Sequence, residues 1–278
     1  MEASGEPLEI DDDLEHDAAS GATSDPAIAA GLDAPSTPQD LYLEEASVYR
    51  PIATGDIFRG VVGPGFSESP ANDLTMLLAH PSAMRRGAEL ELRARATPVV
   101  TENGLSRRKW AKGSYDVFPL PLLASVAKAN GFEIEDRGWG ADLGLAAPIK
   151  TKQLDVRLRV ACLSPQGIHL LLQRLVHADT RVAVRLDTLA QTFAAKLEEI
   201  EMLQTWNEEI VAPKVDSGGD LLQELSAQAR DFDSVMNETT TERPVSLRQM
   251  LERRVGAIGQ AGEAHRLFAA ELAKRRPA

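Results

Sequence analysis

One cysteine, Cys162, is all the chain carries, which excludes an internal disulfide framework and a Cys-based zinc site. No run of about 18 apolar residues occurs, so no membrane span is expected. The opening MEASGEPLEIDDDLEHD lacks the basic-then-apolar order of a signal peptide. Together these absences set the expected location in the cytoplasm. Residues 1 to 49 also lack any Lys or Arg while holding thirteen Asp and Glu. The formal charge of -12 belongs to that stretch, because the 42 acids and 30 bases of the whole chain leave 29 acids against 30 bases beyond it.

The 278 residues suit one or two domains, and 43% hydrophobic with 26% charged residues is ordinary for a globular protein. Residues 1 to 45 are expected to form a disordered acidic arm, since Ala, Gly, Ser, Pro and carboxylates bury too little surface to offset chain entropy. Such an arm reads first as a solvated variable extension, the functional alternative being that it shields a basic surface or docks on a partner. Asp56 to Val62 has the β-branched and aromatic content of a strand, and Leu74 to Ala79 is a wholly apolar run suited to a strand buried on both faces. Leu90 to Val100 and Trp110 to Phe118 read as further strands, and Leu122 to Asn130 as one short helix closed by Asn130-Gly131. Residues 131 to 150 are rich in Gly and Pro and give no clear element. Leu154 to Cys162 alternates strictly, which predicts a strand with one apolar and one basic face. Short strands with irregular loops and one short helix imply a small, strongly bent β-barrel over residues 46 to 163.

The period changes at Ser164-Pro165, an N-cap followed by a proline suited to the first helical position. From Ile168 to Leu203 apolar residues recur at spacings of three and four, with a gap near Asp179. The pattern runs to about Ile210 and is expected to stop before Pro213. A helix of that length would reach roughly 65 Å, more than a small barrel can cover. A second helix is expected from Asp220 to Asn237, and a third from Ser246, with Gln249 in capping-box spacing, to about Lys274. Residues 164 to 278 thus read as a long-helix hairpin or bundle, coiled-coil-like; its apolar stripe packs in part against the two later helices, and the excess length favours a homo-oligomer or a partner protein. The fold class is α+β.

Gly55-Asp56-Ile57-Phe58, a loop and an apolar strand resemble the opening of the MazF/PemK-like family over residues 54 to 100. The resemblance implies an SH3-like barrel and, for many members, an endoribonuclease toxin. Its expected Arg-Pro pair is replaced here by Asn72-Asp73-Leu74-Thr75, and Ser82 matches the family's later Ser or Thr only loosely. Metal-free RNA cleavage needs a base for the 2′-hydroxyl and a cation for the phosphorane. His80 with Arg59 or Arg85 would supply both, with Ser82 nearby, whereas a histidine before a proline at a strand end is more often a loop-capping or core residue.

Arg85, Arg86, Arg93, Arg95, Arg107, Arg108, Lys109, Trp110 and Lys112 would give a nucleic-acid platform, cations for phosphates and an aromatic for an unstacked base. The bland alternative is a solvated basic face. No metal site is expected, because His169 and His177 lie eight residues apart and His177 and Asp179 do not face each other on a helix. Gly138 to Gly144 lacks the strand before and helix after that a dinucleotide loop needs, so no cofactor is expected. The favoured function is a non-catalytic binding or accessory subunit of a bacterial multi-protein system, such as phage defence by fold-level analogy. In it the barrel is a ligand or nucleic-acid platform and the helices serve assembly. The alternative is a MazF/PemK-like endoribonuclease.

Overall fold

The structure, a computed structural model, describes residues 32–66, 73–101, 116–241, 243–253 and 260–276. Its strands are β1 (Ile57–Arg59), β2 (Leu74–Leu77), β3 (Arg85–Arg86), β4 (Glu89–Leu90), β5 (Arg93–Thr101), β6 (Val117–Pro119), β7 (Trp139–Asp142), β8 (Ala147–Lys150) and β9 (Arg159–Ala161). Every pairing is antiparallel, in the order β6-β7-β5-β2-β1-β9, with β8 also on β5 and with β3-β4 forming a separate hairpin. Val99 faces Ala141 and Ala96 faces Ala147, so three steps along β5 match six along its partner. The surplus is held in a 3-10 turn at Leu143–Leu145, capped by the Asp142 carboxylate.

Among the described residues the sheet does not close, since β6 and β9 stand at its two ends. An open antiparallel sheet therefore occupies the place of the expected barrel. One cause lies in the stretch read as the clearest strand. Only Arg159–Ala161 extends; Val156–Leu158 winds into a 3-10 turn because Asp155 accepts from Arg157 N at 2.9 Å and pairs with the Arg157 guanidinium. Such local side-chain bonds compete with the ladder. Nor does that stretch have a basic face, for Arg159 is buried.

Side chains alternate between two cores across the sheet. Ile57, Leu74, Met76 and Val99 join Phe118, Trp139 and Val160 on one side, while Phe58, Leu77, Ala94, Ala96 and Ile149 fill the other. All four residues of β2 are buried, as its unbroken apolar run implies. A short helix, α1 (Leu123–Ala129), ends at Asn130, and Gly131 takes the positive φ that the cap requires.

Helix α2 (Pro165–Thr180) begins as expected, with the Ser164 side chain accepting from Gly167 N. It ends at Arg181, whose left-handed backbone breaks the single long helix expected from the stripe. Helix α3 (Leu186–Trp206) follows and passes into a π turn at Asn207–Val211 and then α4 (Ala212–Asp216). The helical path thus runs through Pro213 rather than stopping before it. The wider turn falls where the proline removes a hydrogen bond and crowds the preceding carbonyl. Helix α5 (Leu221–Asn237) starts at an Asp220 cap. Helix α6 (Leu247–Glu252) has the Ser246/Gln249 capping box but ends at Arg253, and α7 (Gln260–Arg275) is a separate helix packed on it. Residues 254–259 between them lie outside the described residues.

The apolar stripe is covered within the chain. Leu172, Leu175, Leu189, Phe193, Leu197 and Ile200 pack on the sheet, and Leu203, Trp206 and Ile210 enter a core shared by α3, α5, α6 and α7. Trp206, Phe232 and Phe268 stack there with centroids 5.9 to 6.4 Å apart. The boundary set for the acidic arm at residue 45 comes too late. Leu32 and Leu41 are buried, Asp33 N donates to Gln173 Oε1, and Tyr42 bridges Leu163; residues 1–31 lie outside the described part.

Candidate functional site

The site grows from a buried ion pair. Asp56 and Arg159, both under 3% exposed, meet at 2.9 Å just before β1 and at the start of β9. Arg159 also donates to the carbonyls of Ser47, Arg50 and Pro51, and Asp56 accepts from Ala53 N. One guanidinium therefore fixes the path of residues 47 to 53, which have no strand or helix of their own. Asn207, in the π turn, donates its Nδ2 to Tyr49 O at 2.8 Å and binds the same loop to the helices.

Onto this loop folds the β3-β4 hairpin. Arg85 donates to Ile52 O at 2.8 Å and to Ala88 O at 2.6 Å. Gly87 has φ +62, and a Cβ there would lie 2.3 Å from Asp233 Oδ1 on α5, so only glycine fits the turn. Ala88 inserts into the helical core and Glu89 pairs with Arg230 at 3.0 Å.

Between loop, hairpin, α3 and α5 lies a cleft of about 470 Å³, within the usual size of small-molecule sites. Arg50, Arg85, Lys152 and Arg230 line it against one carboxylate, Glu89, which Arg230 already holds. Arg50 and Arg85 give their hydrogen bonds to the Gln204 carboxamide and to carbonyls, not to carboxylates. Their Nε atoms and Asn207 Oδ1 are buried without a partner. Burial chiefly lowers the Arg85 pKa to about 10, with Asp56 and Glu199 opposing and Arg159 adding to the effect. An excess of positive charge thus lines one concavity.

The residues singled out from sequence divide. Arg85 lines the cleft; Arg86 and Arg93 are exposed outside it, Arg86 paired with Glu91, and Arg95 reaches Asp179. Arg107, Arg108, Lys109, Trp110 and Lys112 lie outside the described residues, and the Ser82 side chain does too. His80 packs its ring on Phe193 at 4.4 Å, and burial, then Lys196, lower its pKa. Arg59 sits at the other end of the β1-β2 pair, facing Leu74, where it donates to Glu133 O and covers the Phe132 ring. Leu74 precedes His80 by six residues, roughly 20 Å of extended chain, so His80 and Arg59 are not assembled into one site. No cluster of three metal-ligating side chains occurs among the described residues, and none of their helices is long and apolar enough to cross a membrane.

Sequence reasoning missed Arg50, Lys152, Asn207 and Arg230. Two signals were present. Arg50 is the first basic residue of the chain, and Asn207 takes a stripe position between Leu203 and Ile210 where an apolar side chain is expected. No protein-family model and no curated protein matches the sequence.

Proposed function

We propose that this chain is a non-catalytic ligand-binding subunit whose sheet-helix cleft holds a small anion. The observation that carries this is the pair Arg50 and Arg85, two cations lining a concave site with no carboxylate bonded to either. Burying a guanidinium with no carboxylate bonded to it is unfavourable, and an anion delivered by a ligand offsets it. The lowered proton affinity of Arg85 supports the same reading. Inorganic pyrophosphate at low millimolar concentration is expected to raise the melting temperature of the wild type, and to do so much less in Arg50→Met. Equal shifts in both proteins would refute the site.

In the same reading the chain serves a bacterial multi-protein system, and residues 164 to 278 dock a partner or a second copy. The outer polar helix faces do this, since the apolar stripe is covered internally. Light scattering tests self-association directly, and a monomer mass removes it. The MazF/PemK-like alternative keeps one point in its favour: a lowered pKa makes His80 a neutral imidazole at pH 7, the form a general base requires. RNA left intact by the pure protein in EDTA disposes of that reading; cleavage lost in His80→Ala restores it.

A further inference from the structure

The cleft has two unlike walls. Arg50, Arg85 and Asn207 all bond to, or belong to, the loop at 49 to 52, so the cations Arg50 and Arg85 gather on one side. Leu222, Leu225 and Ala229 line the cleft from α5 at spacings of four and three, one face of a helix. Leu154 and Val156 extend this apolar lining. Leu222 is 37% exposed, a large aliphatic group left open to solvent at the cleft. No aromatic ring is among the lining residues, so the site has no surface on which to stack a base.

Resting on the reading of the cleft as an anion site, the geometry points to an amphipathic aliphatic anion as its ligand. A carboxylate or phosphate monoester head sits on Arg50 and Arg85, and an alkyl body lies along Leu222 and Leu225. Guanidinium groups suit both heads through paired N–H donors.

Titration calorimetry of the full chain with N-acylglycines, from acetyl to octanoyl, tests this. Affinity is expected to rise roughly three- to fourfold per added methylene beyond butanoyl. Octyl phosphate assigns the head, and tight binding of either class supports the assignment. Leu222→Ser, at a half-exposed position and neutral, is expected to flatten the chain-length series. A flat wild-type series with pyrophosphate binding intact overturns the aliphatic ligand and leaves the anion site standing. Adenosine monophosphate binding more tightly than N-octanoylglycine also overturns it. Absence of binding by pyrophosphate and every acylglycine overturns both readings.

Discussion

Arg159 holds four acceptors at once, and each fixes a different part of the chain: the Asp56 carboxylate and the carbonyls of Ser47, Arg50 and Pro51. Removing one partner of a buried pair leaves the other charge uncompensated. Asp56→Ala is therefore expected to cost about 3–5 kcal/mol, read as a lower urea midpoint with anion binding lost alongside. An unchanged midpoint would show that the loop is held by other contacts. Gly87 acts at the same scale through its backbone. Gly87→Ala places a Cβ in a left-handed turn against Asp233, and a loss of about 1–3 kcal/mol is expected. Gly87→Asn, which tolerates that backbone better but still meets Asp233, separates strain from clash: destabilisation equal to that of alanine assigns the effect to the contact.

Among elements, the helical layer is joined by one side chain. Arg248 on α6 donates to Glu199 on α3 and to Asp233 on α5, each at 2.6 Å, and to Asn237 Oδ1 at 2.7 Å. The carboxylates raise the Arg248 pKa against the opposing effect of burial, which is the largest single influence on it. Arg248→Lys keeps the charge but not the fork, so little rescue is expected relative to Arg248→Ala, which should lose about 2 kcal/mol in chemical denaturation. Full rescue by lysine would mean that charge alone matters. Glu199 also lies beside the hairpin, lining a smaller cavity with Arg85, Gly87 and Lys196. The π turn belongs to this scale too. It carries Asn207 to the loop at Tyr49 while α3 continues toward Pro213.

For the whole molecule, acid stability follows from its histidines. Burial lowers the pKa of His80, with Lys196 adding to it, and burial lowers that of His169. Above pH 6.5 both states of the protein leave these rings neutral. Below it the unfolded chain takes up protons that the folded chain resists, so stability falls as pH drops through that range. The melting temperature is expected to be lower at pH 5.5 than at pH 7.5, with a smaller difference in His80→Leu. Equal melting temperatures in the wild type would contradict the burial of these rings. Asp155 and Glu271, whose pKa values are lowered chiefly by Arg157 and Lys274, contribute only further down. Their stabilisation persists above the ordinary carboxylate range and is lost as pH falls through their folded values.

Much of the fold is legible in particular residues. Ser164-Pro165 marked the start of α2, Ser246 with Gln249 that of α6, and the run Leu74 to Leu77 a strand covered on both sides. Local chemistry decides each of these: a cap bond, a fixed φ, an unbroken apolar run. The sequence alone thus determined an α+β chain with strands before helices, and where several of its elements begin. Tertiary structure decided the rest, because it depends on partners far apart in sequence. Arg159 read as one charge on a basic strand face until its buried partner, Asp56, lay across the sheet. The stripe that suggested oligomerisation found its cover within the chain. The cleft exists only because residues near 50, 85, 152, 207 and 225 converge, and no local pattern encodes that convergence.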